Sequence, residues 1–100
     1  MESYDKAITL DPRLRQAYQN LGSIYFTHNL LNLAGAAFIK GIAVAPRYAQ
    51  LHFNLGAVYE QQAKYALAAE QYKAALALAP DMSVARDMLA GVQAKITQHE

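Results

Sequence analysis

Side chains that could bind a metal ion or move a proton are few in this chain of 100 residues, and they are widely separated. The histidines are His28, His52 and His99, and none belongs to a His-Glu-x-x-His arrangement, which would place two imidazoles on one helix face. Cysteine is absent, which excludes a thiolate metal site. We therefore predict no metal and no other cofactor. We interpret His52 as a partly buried packing residue and His99 as part of a solvated terminus.

Carboxylate chemistry is equally poorly supported. General acid–base catalysis by a carboxylate pair needs two acids that converge on one substrate. The internal acids are scattered along the second half of the chain: Glu60, Glu70, Asp81 and Asp87. Gly35 and Gly41 do not form a phosphate-binding loop, because no strand precedes them and no Lys-Ser or Lys-Thr follows. The sequence therefore predicts a protein that is not an enzyme.

Two asparagines, Asn20 and Asn54, have side chains suited to a different task. An amide both donates and accepts hydrogen bonds, which matches the N–H and C=O groups of an extended peptide. Asparagine contributes little to helix stability, so propensity does not explain its presence at two matching positions. Two interpretations remain open with nearly equal weight. Either these amides bind the main chain of a partner, or they bond to a neighbouring segment of the same fold.

The composition is that of a globular, helical protein. Hydrophobic residues make up 54% of the chain and charged residues 17%, which is enough apolar material for one domain with a sizeable core. Alanine is abundant and there are only three prolines, which favours helix over strand. No apolar run approaches the ~20 residues of a membrane span, and the N-terminus lacks the apolar core of a signal peptide. We therefore predict a soluble chain without membrane insertion.

The charge balance argues against a nucleic-acid partner. Nine Lys and Arg stand against eight Asp and Glu, a formal net charge of +1, and no basic run is present. The absence of cysteine leaves the compartment open, so cytoplasm and periplasm are both compatible with the sequence.

An internal period of about 34 residues organises the chain. Its only prolines, Pro12, Pro46 and Pro80, are equally spaced at this interval. An ungapped alignment of residues 15–48 with residues 49–82 gives ten identities, including the run Asn-Leu-Gly in both units. The sequence therefore predicts a tandem repeat.

Each unit predicts two helices. Apolar residues recur at helical spacing, with turns expected at residues 28–30 and 62–64. A proline ends the second helix of each unit because the residue before a proline is driven out of the α region. Helices of about 13 residues are expected.

A glycine interrupts the first helix of each unit, at Gly22 and Gly56. We interpret both as positions where two helix backbones cross closely. Leucine there should therefore be costly, and alanine much milder.

These residues resemble the tetratricopeptide repeat, whose pattern is an aromatic, Leu-Gly, Tyr, Ala, an aromatic and a closing Pro. The first unit supplies Tyr18, Leu21, Gly22, Tyr25, Ala34, Phe38 and Pro46. The second supplies His52, Leu55, Gly56, Tyr59, Ala68, Tyr72 and Pro80. The resemblance implies an all-α fold of tandem antiparallel helical hairpins stacked as a right-handed superhelix, an α-solenoid. It also implies a protein-interaction module or scaffold.

The resemblance divides the chain into four segments. Residues 1–12 correspond to the trailing helix of a truncated repeat, 13–48 and 49–82 to two repeats, and 83–100 to a closing helix and tail. The usual turn glycine of the family is replaced by Asn29 in one repeat and by Ala63 in the other. Because alanine adopts the left-handed conformation poorly, we expect the second turn to have a different geometry.

The resemblance also places the candidate site on the concave face, which the first helix of each repeat lines. That unpacked face includes Phe26, Thr27, Ala57 and Gln61. Our candidate peptide-binding residues are Gln16, Gln19, Asn20, Ser23, Gln50, Phe53, Asn54 and Glu60. Some arrays of the family have an asparagine ladder at the column of Asn20, which implies an extended peptide or partner segment as ligand. Another subfamily uses a Lys, Asn and Arg clamp for a terminal carboxylate, and here only Asn54 of that clamp remains.

Two further hypotheses concern the parent protein and self-association. The repeats could be a structural or self-assembly segment of a larger protein, or an accessory domain of a multidomain enzyme. Residues 2–11 match the second helix of a repeat whose first helix is missing, so Tyr4, Ala7 and Ile8 lack the partner that normally covers them. Because an uncovered apolar face favours pairing, we expect a homodimer through this N-terminal half-repeat.

Overall fold

A computed structural model describes residues 12–98, which form five α-helices and no β-strand. The helices are α1 (Pro12–Thr27), α2 (Leu31–Val44), α3 (Ala49–Gln61), α4 (Tyr65–Leu78) and α5 (Ser83–Gln98). The prediction of an all-α fold is confirmed, with helices of 13 to 16 residues. The helix expected at residues 2–11, with Tyr4, Ala7 and Ile8, lies outside the described residues, as does His99.

The helices pack mainly on their neighbours in the chain. The pair α1 and α2 forms one hairpin, α3 and α4 form the next, α2 packs on α3, and α5 packs on α4. Contacts restricted in this way to adjacent elements are typical of a linear repeat array. The predicted stack of tandem helical hairpins is therefore confirmed.

The buried core repeats with the same period as the sequence. The first cluster joins α2 to α3 and consists of Ala34, Phe38, Leu51, Leu55 and Val58. The second joins α4 to α5 and consists of Ala68, Ala69, Tyr72 and Val92. Ala68, Tyr72 and Val92 each stand one repeat period after a member of the first cluster. The repeat in the sequence is thus a repeat of one hydrophobic interface between successive hairpins.

The two turns inside the hairpins have the same geometry, contrary to expectation. Asn29 has a φ of 62° and Ala63 a φ of 61°, so both lie in the left-handed region. In the first turn the Leu30 N–H donates to the Tyr25 carbonyl at 2.8 Å, and in the second the Lys64 N–H donates to the Tyr59 carbonyl at 2.8 Å. These bonds close a Schellman motif at the helix C-terminus. Packing of the hairpin therefore imposes on alanine a conformation that it does not favour.

This strained turn gives a stability prediction. Ala63→Gly is expected to raise the free energy of unfolding by about 1 kcal/mol, because glycine adopts a positive φ without steric conflict. Asn29→Gly is the matched control, and its effect should be smaller because asparagine tolerates this region. Urea denaturation of both variants measures the difference. An Ala63→Gly protein no more stable than its parent would contradict the strain at this position.

The prolines end the second helix of each hairpin as predicted. Ala45 precedes Pro46 with a φ of −143° and a ψ of 70°, and Ala79 precedes Pro80 with a φ of −137° and a ψ of 81°. Both residues have left the α region, as the steric demand of the following proline ring requires. The chain can then turn into the first helix of the next unit.

Gly22 and Gly56 each make room for an aromatic ring, and not for a second helix backbone as the sequence suggested. A Cβ atom on Gly22 would lie 2.6 Å from Phe38 Cδ1 and 2.7 Å from its Cζ. A Cβ atom on Gly56 would lie 2.7 Å from Tyr72 Cε1 and 2.8 Å from its Cδ1. Both rings are buried, so neither is free to move aside. Contrary to the expectation from the sequence, we therefore expect alanine to be costly at these positions.

Candidate functional site

A groove runs between the first helices of the two repeats, α1 and α3. It encloses a pocket of about 260 Å³ lined by Ser23, Phe26, Thr27, Phe38, Phe53, Asn54 and Ala57. Phe38, from α2, is buried, whereas Phe26 and Phe53 are partly exposed. We refer to this surface as the α1–α3 groove. Its apolar patch would bury an apolar side chain of a partner, and its polar atoms stand beside that patch.

Three of the eight candidate residues line this pocket directly: Ser23, Phe53 and Asn54. Phe26, Thr27 and Ala57, which the sequence places on the same face but which the candidate set omits, also line it. Two signals in the sequence could have added Ala57 and Phe26 to the candidates. Ala57 is the repeat counterpart of Ser23, and Phe26 stands three residues after Ser23 on the same helix.

The Asn54 amide is held by a neighbour on its own helix. The Gln50 Nε2 group donates to Asn54 Oδ1 at 2.9 Å, one helical turn away. This bond uses one of the two lone pairs of the amide oxygen and orients the Asn54 NH₂ group, a hydrogen-bond donor. Gln50 therefore acts on the groove through Asn54, and both side chains are partly buried.

The remaining polar candidates on α1 precede the pocket along the helix. Gln16 and Asn20 are exposed, and Gln19 is partly buried. Asn20 stands three residues before Ser23, so the two share one face of α1. The Thr27 hydroxyl at the other end donates to the Ser23 carbonyl at 2.9 Å, which satisfies that hydroxyl within the helix.

Glu60 is engaged by the fold and does not line the pocket. Its Oε1 accepts a hydrogen bond from the Tyr72 hydroxyl at 2.8 Å, and its Oε2 lies 4.0 Å from Lys95 Nζ. Burial, and then the hydrogen bond to Glu60, raise the pKa of Tyr72 far above its ordinary value of 10.0. The phenol therefore stays protonated and donates to this carboxylate.

The Glu60 contact distinguishes the two repeats. Phe26 and Phe38 stand at the same repeat positions as Glu60 and Tyr72. Phe26 packs against the first core cluster, which contains Phe38, whereas Glu60 and Tyr72 form a hydrogen bond. The first repeat therefore has an apolar contact at Phe26 and Phe38, where the second repeat has a hydrogen bond between Tyr72 and Glu60.

His52, on α3, contacts α4 and the connection that precedes α3. Its Nε2 lies 2.9 Å from the Pro46 carbonyl oxygen and its Nδ1 lies 3.0 Å from Gln71 Oε1. This partly buried residue packs between α3, α4 and the preceding turn, as the sequence predicted.

Across residues 12–98, no three His, Asp or Glu side chains cluster in a way that could hold a metal ion. No helix in that same range has the length and apolar character needed to span a bilayer.

The folded chain is an array of helical hairpins with an open groove between the first helices of successive hairpins. Comparison with protein-family models identifies the family to which these repeats belong. Residues 49–82 and residues 16–48 each match a family model described as tetratricopeptide repeat. The chain belongs to the tetratricopeptide repeat family, whose repeats generally serve as protein-interaction modules and non-catalytic scaffolds. No curated protein matches the chain.

Proposed function

We propose that the chain binds an extended peptide segment of a protein partner in the α1–α3 groove. The observation that carries this proposal is the groove itself, an apolar pocket of about 260 Å³ bordered by amide and hydroxyl groups. A pocket with an apolar base and a few polar groups at its edge fixes a side chain and its backbone together. No His, Asp, Glu, Lys or Cys is among the lining residues to activate the Ser23 or Thr27 hydroxyl, so the proposed role is recognition without catalysis.

A protein partner is favoured over a nucleic acid by the lining of this groove. No Lys or Arg is among its lining residues, whereas binding to phosphates depends on such cations. Amide side chains instead pair with the N–H and C=O groups of a peptide. Two carry this role in the proposal: Asn20 on α1 and Asn54 on α3.

A peptide-array screen followed by titration tests the groove. For the best peptide on the array, Asn20→Ala combined with Asn54→Ala is expected to weaken binding by about 1 to 3 kcal/mol, because buried main-chain groups of the ligand lose their partners. The fold should persist, since Asn20 is exposed and Asn54 only partly buried. Lys73→Ala, at an exposed position on α4, is the control and should leave the affinity unchanged. Equal affinities for the double variant and the parent would refute the amide contacts.

A second interface is favoured by a different observation. Leu21 and Ile24 on α1 are 40% and 55% exposed, whereas their repeat counterparts Leu55 and Val58 on α3 are 3% and 0% exposed. On α3 this face is covered by α2 of the preceding hairpin, since both counterparts belong to the α2–α3 core cluster. We propose a homodimer through the N-terminal half-repeat, in which residues 2–11, the sequence counterpart of α2, cover the α1 face of a second copy.

Light scattering over a dilution series measures this association. The apparent mass is expected to fall from dimer to monomer on dilution, because a modest apolar face gives a weak interface. Ile24→Gln should move the transition to higher protein concentration, since it places a polar group in the apolar contact. A strict monomer at high micromolar concentration would refute the homodimer and would leave the groove proposal untouched.

A further inference from the structure

A second cavity, of about 420 Å³, lies at the junction between the two repeats. It is lined by Arg15 from α1 and by Ala45, Pro46, Arg47 and Tyr48 from the connection between α2 and α3. We refer to it as the arginine pocket. Two of its lining side chains are cationic and none is acidic, which is the composition expected of an anion site.

The Tyr48 ring orients one of the two guanidinium groups. The Arg15 Cζ atom lies 4.1 Å from the centroid of that ring, a cation–π contact. The Arg15 Nε atom is buried and has no hydrogen-bond partner in residues 12–98. A stacked guanidinium loses less side-chain freedom when it binds a ligand than a free one does. Arg15 is therefore pre-organised for a planar anion.

The charge at the pocket itself is positive, since Arg15 and Arg47 are its only charged lining residues. The nearest acid in the sequence is Asp11, four residues before Arg15. Helix α3 begins directly after Tyr48, and its first turn has no acidic residue to offset the positive end of the helix dipole. An anion would therefore be attracted to the arginine pocket.

We propose that the arginine pocket binds a carboxylate of the same peptide that occupies the α1–α3 groove. This inference rests on the proposed function and adds the chemistry of the ligand. Two arginines can hold a carboxylate through charge-assisted and bidentate hydrogen bonds, which fix its orientation as well as its position. The pocket would thus set the register of the bound peptide.

The spacing between the two pockets defines the ligand further. Arg15 and Phe26 are eleven residues apart on α1, close to three full turns, so they project from nearly the same side. The rise between them is about 16 Å. An extended peptide covers that distance in about five residues, at about 3.3 Å per residue. The proposed partner segment therefore has an apolar side chain and a carboxylate about five positions apart.

Synthetic peptides with an acetylated N-terminus and an amidated C-terminus test this spacing. Each contains one Phe and one Glu separated by one to nine Ser or Ala residues, and a matched peptide has Gln in place of Glu. Fluorescence anisotropy should show the tightest binding at a separation of about five positions, and about tenfold weaker binding of the Gln peptide, as expected for the loss of a charge-assisted pair. Gln peptides with a free C-terminal carboxylate test whether a chain terminus serves equally well.

Substitutions of the two arginines test whether the preference for Glu arises in the arginine pocket. Arg15→Gln and Arg47→Gln should each abolish the preference for Glu over Gln, whereas Lys40→Gln, which removes the same charge from an exposed position on α2, should preserve it. Arg47 is exposed, so its variant should fold even if Arg15→Gln does not.

The outcomes separate this inference from the proposed function. Peptides that bind in the groove with no preference for Glu, or a loss that is equal in all three variants, would overturn the carboxylate site alone. Failure of every Phe-containing peptide to bind would overturn the proposed function as well.

Discussion

Gly56→Ala is expected to lower the free energy of unfolding by about 1 to 3 kcal/mol, although alanine is the better helix former. The added methyl carbon would lie 2.7 Å from Tyr72 Cε1, well inside ordinary van der Waals contact. Tyr72 is fully buried, and its hydroxyl donates to Glu60, so the ring cannot move without losing packing and a hydrogen bond. Leucine at the same position should cost more, because it adds three further carbon atoms to the same space.

The other glycines of the chain provide the control for this prediction. A Cβ atom on Gly91 meets no atom within 4 Å, so Gly91→Ala should raise the free energy of unfolding by up to about 1 kcal/mol through helix propensity alone. Gly22→Ala should behave like Gly56→Ala, because Phe38 occupies the place of Tyr72. Urea denaturation of the three variants gives the comparison. If Gly56→Ala is as stable as Gly91→Ala, the ring does not require the glycine.

Ala57→Trp is expected to reduce peptide affinity by about 100-fold, equivalent to about 2.7 kcal/mol, because its indole would fill the α1–α3 groove. Ala57 lines the pocket and is only partly buried, so the new side chain can extend into the open space of about 260 Å³. Stability should change little, since no core contact is displaced. Titration of the best array peptide against the variant measures the loss.

The same substitution elsewhere shows whether the effect is local. Ala36 is exposed on α2 and does not line the groove, so Ala36→Trp should leave the affinity within about twofold of the parent. Thermal melts of both variants check that each one is folded. A folded Ala57→Trp protein that binds as tightly as Ala36→Trp would place the ligand elsewhere on the chain.

The sequence was sufficient to predict the fold because its repeat signals act locally. Pro46 and Pro80 end helices through a steric effect on the preceding residue, whatever lies around them. The period then fixes which faces stack, since the buried columns recur at the interval that separates these two prolines.

The turn at Ala63 was not predicted, because intrinsic preference is a weak guide where packing decides. The hairpin places Ala63 in the same left-handed conformation as Asn29, and packing elsewhere in the fold offsets the conformational free energy that this costs.

The site was predicted only in part because it depends on contacts between helices. The alignment located Gly22 and Gly56, but it could not show that each faces an aromatic ring on the following helix. Glu60 was chosen from its position on the first helix of a repeat, although its carboxylate is engaged by Tyr72 from the next helix. Hydrogen bonds across a helix pair follow from tertiary packing, which a single repeat column does not encode. The pocket is lined by side chains of α1 and α3 and by Phe38 of α2, so its shape depends on how the two repeats pack together.

Chemical-shift mapping tests the central claim most directly. The best array peptide is titrated into isotope-labelled protein, and the amide shifts of residues 12–98 are followed. We predict that the largest changes fall on α1 and α3, at Ser23, Phe26, Thr27, Phe53, Asn54 and Ala57. The exposed faces of α2 and α4, including Lys40 and Lys73, should show little change. Changes concentrated on α2 and α4, with none at Phe53 and Asn54, would contradict the groove as the binding site.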